Sequence, residues 1–338
     1  MINSALLSRR QLLKTGTLGT FALLSGCEYS KLSRSTLLYS RGSLPYQWLK
    51  LLPNDWRSDS MVNSSEVVNR ILSSHPDLVQ VSDAWGQLLN PNDLAPLDTI
   101  PLFKELALFT EPITYIFKDD LLRKVALPIA FSPWLLVICN RPDLLARSSE
   151  GWHLLLDPTV RGRVVFPSSP RVLIDIAQRL EGGLETLPAL RRSVLSFDRY
   201  YGLNLLLNGD AEISILPARE AIPLLQEHPH LKGLLPNQGT ILTWDLLVRP
   251  LLSQKALPIA WIQEAWKRPL LDHLIANGWV PPLPRARLQG ALDKLKLPPE
   301  WKELLYPEES LLNKCSSLLP LDINERKRLQ DIWTSVMV

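Results

Sequence analysis

A run of apolar residues at positions 127–140 (LPIAFSPWLLVICN) contains no charged side chain. Two prolines, Pro128 and Pro133, interrupt the run, and its second half is rich in residues that favour strands. The run is shorter than the roughly 20 apolar residues that a membrane-spanning helix needs. We therefore expect an extended segment that is buried inside the protein, with the rest of the fold built around it.

Stretches typical of strands and of helices alternate on both sides of this segment. Such alternation predicts an α/β fold with mainly parallel sheets and helices on both faces. We expect strands at residues 35–39, 77–81, 162–166, 210–216 and 240–248. We expect helices at residues 46–52, 65–72 (N-capped by Ser64 or Ser65), 172–180 and 253–278 (ending at Asn277-Gly278).

The N-terminal region carries the pattern of an export signal. In residues 8–27 (SRRQLLKTGTLGTFALLSGC), Arg9, Arg10 and Lys14 precede a short apolar stretch. The segment resembles a twin-arginine signal, and LSGC, which ends at Cys27, resembles the lipobox of bacterial lipoproteins. The alternative is an amphipathic helix with one buried cysteine. We expect residues 1–26 to be a signal peptide, Cys27 to carry the lipid, residues 27–34 to link it to the body, and the protein to lie in the periplasm or cell envelope.

The charge balance bears on possible partners. The chain has 37 Lys and Arg residues and 34 Asp and Glu residues. Removal of Arg9, Arg10 and Lys14 with the predicted signal leaves 34 of each kind. A body without net charge gives no broad attraction to nucleic acid. Its length of about 310 residues favours two domains or lobes.

Cysteine and histidine are sparse. After Cys27 the sequence has Cys139, inside the apolar run, and Cys315. A buried thiol and a disulfide between the two both remain open. His228 and His230 are separated by one proline, with no cysteine or cluster of carboxylates nearby, so we expect no metal site.

No enzyme motif stands out in the chain. The GxSxG elbow, the Walker A loop, the HExxH helix and the Rossmann glycine pattern do not occur. We therefore expect no catalytic residue and no cofactor.

Several segments follow one another in the order found in a known family. They are DLVQVSDAWGQLL (77–89), LPIAFSPWLLVICNRPDL (127–144), SSEGWHLLLDPTVRGRVVFPSSPRVLIDIA (148–177) and NGDAEISILPAREA (208–221), followed by TWDLLVRP, NGWVPPLPRA and Tyr306-Pro307. In this order the segments resemble bacterial extracellular solute-binding proteins of ABC transporters, also called type 2 periplasmic binding proteins. Within that group they are similar to the spermidine/putrescine-binding family.

The resemblance implies a fold and partners. The fold is the two-lobed type II periplasmic-binding-protein fold, in which each lobe is a mixed, mainly parallel sheet flanked by helices and a crossover hinge joins the lobes. It places lobe 1 at residues 35–131 and 245–287, and lobe 2 at residues 132–244 and 288–338. It also implies a monomer that binds a small solute in the cleft and works with a permease and its ATPase. Ligands of open α/β sheets bind at the carboxyl ends of strands, which agrees with such a cleft.

The resemblance and the strand ends together give nine candidate ligand-binding residues. Ser82 matches a serine after a first-lobe strand, Asp245 matches a carboxylate beside the hinge, and Trp279 matches an aromatic position. Each candidate also has a structural alternative, such as core packing for a tryptophan, an N-cap for Asp83, or an ion pair with Arg249 for Asp245. The candidates are Ser82, Asp83, Trp134, Ser169, Arg171, Arg219, Trp244, Asp245 and Trp279.

Two kinds of ligand fit these residues. A cationic, polyamine-like solute would use Asp245 and Asp83 for its ammonium groups, and Trp244 and Trp279 for its methylenes. An anion would instead use Arg171 and Arg219, with Ser168 and Ser169. The chain departs from the polyamine-binding pattern: residues 40–44 lack its Trp and Tyr, residues 168–172 lack its acidic pair, and Pro217 replaces a Trp. These departures leave open a sensing or assembly subunit that has lost its solute.

Overall fold

The computed structural model describes residues 34–86, 88–115 and 123–337. The predicted lipid-bearing Cys27 lies outside them. The strands are β1 (Ser35–Ser40), β2 (Trp56–Met61), β3 (Leu78–Ser82), β4 (Ala126–Cys139), β5 (Val164–Val165), β6 (Val194–Ser196), β7 (Ile213–Pro217), β8 (Leu231–Leu234), β9 (Ile241–Val248) and β10 (Ser316–Ser317).

The helices are short and lie between the strands. The first eight are α1 (Tyr46–Leu49), α2 (Ser64–Ser74), α3 (Asp83–Gly86), α4 (Glu111–Thr114), α5 (Pro142–Ala146), α6 (Pro170–Arg179), α7 (Leu187–Ser193) and α8 (Arg199–Leu207). They are followed by α9 (Ala218–Glu227), α10 (Ile259–Glu264), α11 (Leu270–Ala276), α12 (Arg285–Lys294), α13 (Pro299–Leu305), α14 (Glu309–Leu312) and α15 (Ile323–Met337). Helices of the 3₁₀ type span Pro91–Asp93, Pro101–Glu105, Leu108–Thr110, Ser148–Leu156, Pro158–Val160 and Gly183–Thr186.

Two groups of parallel strands are joined by long antiparallel strands. In the first lobe, β1 pairs in parallel with β2 and with β3. In the second lobe, β5 pairs in parallel with β6 and with β7. Strand β9 runs antiparallel to β3 and β4, and β4 runs antiparallel to β7 and β8. This mixed arrangement confirms the α/β prediction. The residue limits of the two lobes stay a prediction.

Strand β4 connects the lobes. Its residues 126–133 pair with β9, and residues 134–138 pair with β7. All 14 of its residues are buried, as the uncharged run predicted. A register irregularity between Pro128 and Ala130 marks the first half, in keeping with prolines that cannot donate to a ladder. In the second half, successive side chains enter two different clusters: Leu135 and Val137 one, Leu136 and Ile138 the other.

Several predicted helix ends need correction. Helix α2 is capped by Asn63, whose Oδ1 accepts from the backbone N–H of Glu66 at 3.0 Å, and not by Ser64 or Ser65. The prediction missed that the residue before the two serines is also a good cap. The long helix expected at 253–278 is two helices, α10 and α11, because prolines precede each of them. The helix expected at 46–52 ends at Leu49.

The core of the first lobe contains a pair of reciprocally bonded tryptophans. Trp48 Nε1 donates to the carbonyl oxygen of Trp261 at 2.8 Å, and Trp261 Nε1 donates to the carbonyl oxygen of Trp48 at 2.9 Å. The two rings stack with centroids 4.3 Å apart. Burial of large aromatic rings whose N–H groups are satisfied stabilises the lobe.

The structure also describes the two remaining cysteines and the lengths of the helices. Cys139 and Cys315 are free thiols, so the disulfide that the sequence left open is not formed. Within the described part of the chain, no helix is long and apolar enough to cross a membrane.

Candidate functional site

Loops and strand ends from both lobes meet beside the crossing strands. The end of β3 pairs with β9 so that Ser82 lies opposite Asp245. The turn after β1 brings Gly42 and Ser43 to the same place. From the second lobe, β7 ends at Pro217, and the first turn of α9 presents Arg219 there. The carboxyl ends of β1, β3 and β7 therefore converge, as expected for a ligand site in an α/β fold.

Asp245 is the central carboxylate of this place. Its Oδ1 accepts from Gln80 Nε2 at 2.9 Å, and its Oδ2 accepts from Arg219 Nη1 at 2.5 Å. Burial raises the pKa of Asp245, and the charge of Arg219 and the bond from Gln80 oppose that rise. Arg249, the partner that the sequence offered as an alternative, donates instead to the carbonyl oxygen of Ser253.

Arg219 connects the two lobes through three side-chain contacts. Besides Asp245, its Nη2 donates to the carbonyl oxygens of Gly42 and Ser43, each at 2.8 Å. Its own backbone N–H donates to Ser132 Oγ at 2.9 Å. A guanidinium with its fork on a carboxylate and two carbonyls is held in a fixed position.

Asp83 is the second carboxylate, and it is 2% exposed. Its Oδ1 accepts from the backbone N–H of Trp244 at 3.2 Å and from Thr243 Oγ1 at 3.1 Å. Burial raises the pKa of Asp83 to about 7, although these hydrogen bonds act in the opposite direction. Its bonds therefore position the backbone of β9 at the crossing.

Arg171 and Ser169 lie at the start of α6. Arg171 donates to the carbonyl oxygens of Leu318 (3.4 Å) and Leu319 (2.7 Å), and burial lowers its pKa. Ser169 holds the N-cap position of α6 but makes no capping bond with its side chain. The guanidinium of Arg171, which the sequence suggested for binding an anion, thus donates to the C-terminal segment instead.

The three candidate tryptophans are buried. Trp134, Trp244 and Trp279 are 8%, 1% and 2% exposed. Trp244 Nε1 donates to Ser317 Oγ at 2.9 Å. Trp279 packs against Trp48, with the ring centroids 5.1 Å apart. The indole N–H of Trp279 has no partner among the described residues. Whether these rings contact a ligand stays a prediction; in the structure they pack in the protein interior.

A cavity of about 280 Å³ lies beside Arg219. It brings together Arg219 and Trp279 of the predicted set with residues that the sequence reasoning missed. Those additional residues are Gly42, Pro45, Gln47, His273, Leu274 and Asn277. A second cavity, of about 340 Å³, shares Gln47 and His273 with the first.

Gln80 is another missed residue. It is 2% exposed, donates to Asp245, and accepts from Ser43 Oγ through Oε1. The signal was present in the sequence, because Gln80 is the one polar residue inside the otherwise apolar strand LVQV. No group of His, Cys, Asp and Glu side chains that would hold a metal ion occurs within residues 34–86, 88–115 and 123–337.

Known structures share this architecture across most of the chain. The spermidine/putrescine ABC transporter substrate-binding protein PotD from Streptococcus pneumoniae has a TM-score of 0.72 and 15% identity, covering 90% of this chain and 99% of its own. The Tp0655 lipoprotein of Treponema pallidum has a TM-score of 0.67 and 13% identity, covering 89% and 98%. The binding protein AgtB from A. tumefaciens R10, in complex with agropinic acid, has a TM-score of 0.56 and 13% identity, covering 90% and 98%.

These similarities establish the fold: the chain has the two-lobed fold of periplasmic binding proteins, as the resemblance predicted. No protein-family model and no curated protein matches the sequence.

Proposed function

We propose that this protein is the solute-binding component of an ABC importer and captures a small solute between its two lobes. The observation that carries the proposal is the meeting of charged side chains from both lobes at Asp245 and Arg219. A cleft whose two walls each supply a charged group can recognise a polar solute and hold the lobes together around it. The partners would be a permease and its ATPase, and the protein would act as a monomer.

The first candidate ligand is a cationic, polyamine-like amine. Asp245 is a largely buried carboxylate beside the predicted hinge, with a side chain that is 14% exposed, and Asp83 lies near it. A charge-assisted hydrogen bond contributes roughly 1.5–3 kcal/mol, so its loss weakens binding about 10- to 150-fold. We expect Asp245→Asn to weaken the binding of putrescine and spermidine by this factor in titration calorimetry. The control variant Arg171→Ala should bind both amines as tightly as the wild type does. If neither amine gives a heat of binding, the polyamine assignment is wrong, while the assignment of the fold is unchanged.

The second candidate ligand is an anion. It is favoured by one observation: Arg219 lines the 280 Å³ cavity, together with His273 and Asn277. In that case Arg219→Ala abolishes binding of the anion, and Asp245→Asn leaves it nearly intact. Calorimetry with a small dicarboxylate as the probe distinguishes the two candidate ligands, because they predict opposite effects of the substitutions on binding. If neither class of solute binds, the protein fits the sensing or assembly role that the sequence left open.

The N-terminal signal supplies a proposal about location. We propose that export removes residues 1–26 and that Cys27 carries a lipid that anchors the protein to the membrane in the cell envelope. Cys27→Ser should release the protein from the membrane or stall it as a precursor. Replacement of Arg9 and Arg10 by lysine tests the twin-arginine route. A membrane-bound wild-type protein whose measured mass includes residues 1–26 would contradict the lipid anchor.

A further inference from the structure

We propose that the Arg219 bridge, defined as the Arg219 guanidinium with Asp245, Gly42 and Ser43, holds the two lobes together and competes with cationic solutes for Asp245. The first part concerns the fold itself. The second part rests on the proposed function, because it concerns the ligand of the same cleft.

The bridge joins elements that belong to different lobes. Arg219 lies in the first turn of α9, which follows the second-lobe strand β7. Two of its acceptors, Gly42 and Ser43, follow β1 of the first lobe, and Asp245 faces the end of β3. The pair is partly shielded, with side-chain exposures of 27% for Arg219 and 14% for Asp245. Shielding from water strengthens a charged contact, so the bridge favours the arrangement in which the two lobes touch.

A second contact, independent of charge, lies at the same place. Gly278 has φ of +79°, and a Cβ atom placed on it would lie 2.9 Å from the Cα atom of Arg219 and 3.0 Å from its carbonyl oxygen. The backbone after α11 therefore touches the backbone of α9. Glycine meets both requirements of the position, since it adopts positive φ without strain and leaves room for the second backbone. The lobes are thus in contact through the main chain as well as through the side chain of Arg219.

The bridge also affects which solutes can use Asp245. Oδ2 of Asp245 already accepts from Arg219, and Oδ1 accepts from Gln80. An ammonium group at this carboxylate would lie next to the guanidinium, and two like charges in a shielded cleft repel each other. A polyamine can therefore bind Asp245 strongly only after Arg219 has moved away. Arg219 is in this sense the residue that determines the charge of the solute.

Two pairs of variants test the contact between the lobes. Small-angle scattering of the purified protein should give a larger radius of gyration for Arg219→Ala than for the wild type. Arg147→Ala is the matched control, since Arg147 pairs with Glu150 and Asp157 on nearby turns of one lobe. Gly278→Ala should also enlarge the radius. Its control is Gly209→Ala, because Gly209 has a φ of +81° but no atom within 4 Å of its Cβ position. Circular dichroism checks that each variant is folded.

Calorimetry with putrescine then tests the competition. We expect Arg219→Ala to bind putrescine at least about tenfold more tightly than the wild type, because the carboxylate of Asp245 is set free. The double variant Arg219→Ala/Asp245→Asn should lose this gain. If Arg219→Ala is enlarged but binds no amine, the bridge stands and the polyamine assignment fails. If folded Arg219→Ala keeps the wild-type radius, the bridge is overturned, whatever solute the protein binds.

Discussion

Asp83 and Asp245 both lie beside Trp244 and have the same chemistry, but their surroundings differ. Asp245 receives bonds from two side chains, Gln80 and Arg219, and one of them comes from the other lobe. Asp83 receives bonds from Trp244 and Thr243 of strand β9, and its pKa is raised to about 7. Burial opposes ionisation at both sites, and at Asp245 a contacting cation offsets this only in part, so its pKa stays raised.

The comparison distinguishes a carboxyl that accepts from the main chain from one whose partners are side chains. The carboxyl of Asp83 accepts from the main chain of strand β9. This bond fixes the position of α3 relative to β9. The carboxyl of Asp245 bonds to the side chains of Gln80 and Arg219, and a solute can replace such groups. A largely buried carboxylate is therefore a candidate for ligand binding when one of its partners is a side chain from the opposite lobe.

The largest expected effect concerns the titration of Asp83. The folded pKa of about 7 lies above the ordinary value of 3.8, so the folded protein binds the proton more tightly than the unfolded chain does. Its contribution to stability is therefore complete below pH 4 and is lost as pH rises to 7. The loss amounts to about 4 kcal/mol at most. Asp83→Asn should remove this pH dependence. The stability of the variant relative to the wild type should therefore increase between pH 4 and pH 7.

Urea unfolding of both proteins at several pH values measures this difference. Asp331→Asn, on an exposed part of α15, serves as the control and should follow the wild type at every pH. Parallel stability curves for Asp83→Asn and the wild type would show that Asp83 is already ionised in the folded protein and that the contrast with Asp245 is wrong.

The next effect concerns the neutral partner of Asp245. Gln80→Met keeps the shape of the side chain but removes the N–H that donates to Oδ1 at 2.9 Å. We expect a loss of about 1.5–3 kcal/mol in the free energy of unfolding when the carboxyl of Asp245 is ionised. The loss should shrink as the pH falls, since the bond from Gln80 lowers the pKa of Asp245. Gln289→Met, on the exposed surface of α12, is the control. An equal loss at pH 5 and pH 8 would mean that Gln80 contributes by packing and by accepting from Ser43, and that its bond to Asp245 adds nothing that depends on charge.

Parts of this arrangement were predictable from the sequence, and the reasons are local. The uncharged run at 127–140 predicted β4, because a run of this kind without charges must be buried. Asp245 and Arg219 were both predicted as site residues, Asp245 because the resemblance implies a carboxylate beside the hinge and Arg219 because it follows the end of a strand. Their pairing was not predicted, because Arg249 lies nearer in the sequence. Only the crossing of the two lobes brings Arg219 to the carboxylate.

Other features of the site leave no trace in the residue types. The carbonyl oxygens of Leu318 and Leu319 accept from Arg171, and any residue at those positions would supply the same oxygen. The same holds for Gly42 and Ser43 as acceptors for Arg219. Main-chain contacts between distant segments depend on the path of the chain, which patterns of side chains describe incompletely.

The smallest expected effect isolates one hydrogen bond to Asp83. Thr243→Val removes the hydroxyl that donates to Oδ1 at 3.1 Å and keeps the volume of the side chain. We expect the variant to lose about 1 kcal/mol above pH 7, where the acceptor is charged, and less below it. Thr240→Val is the matched control. Thr240 donates to the carbonyl oxygen of Trp134 at 2.7 Å, an acceptor that does not titrate, so its loss should be the same at every pH. If both variants show the same flat pH profile, the hydroxyl of Thr243 does not respond to the charge of Asp83, and the raised pKa loses its support.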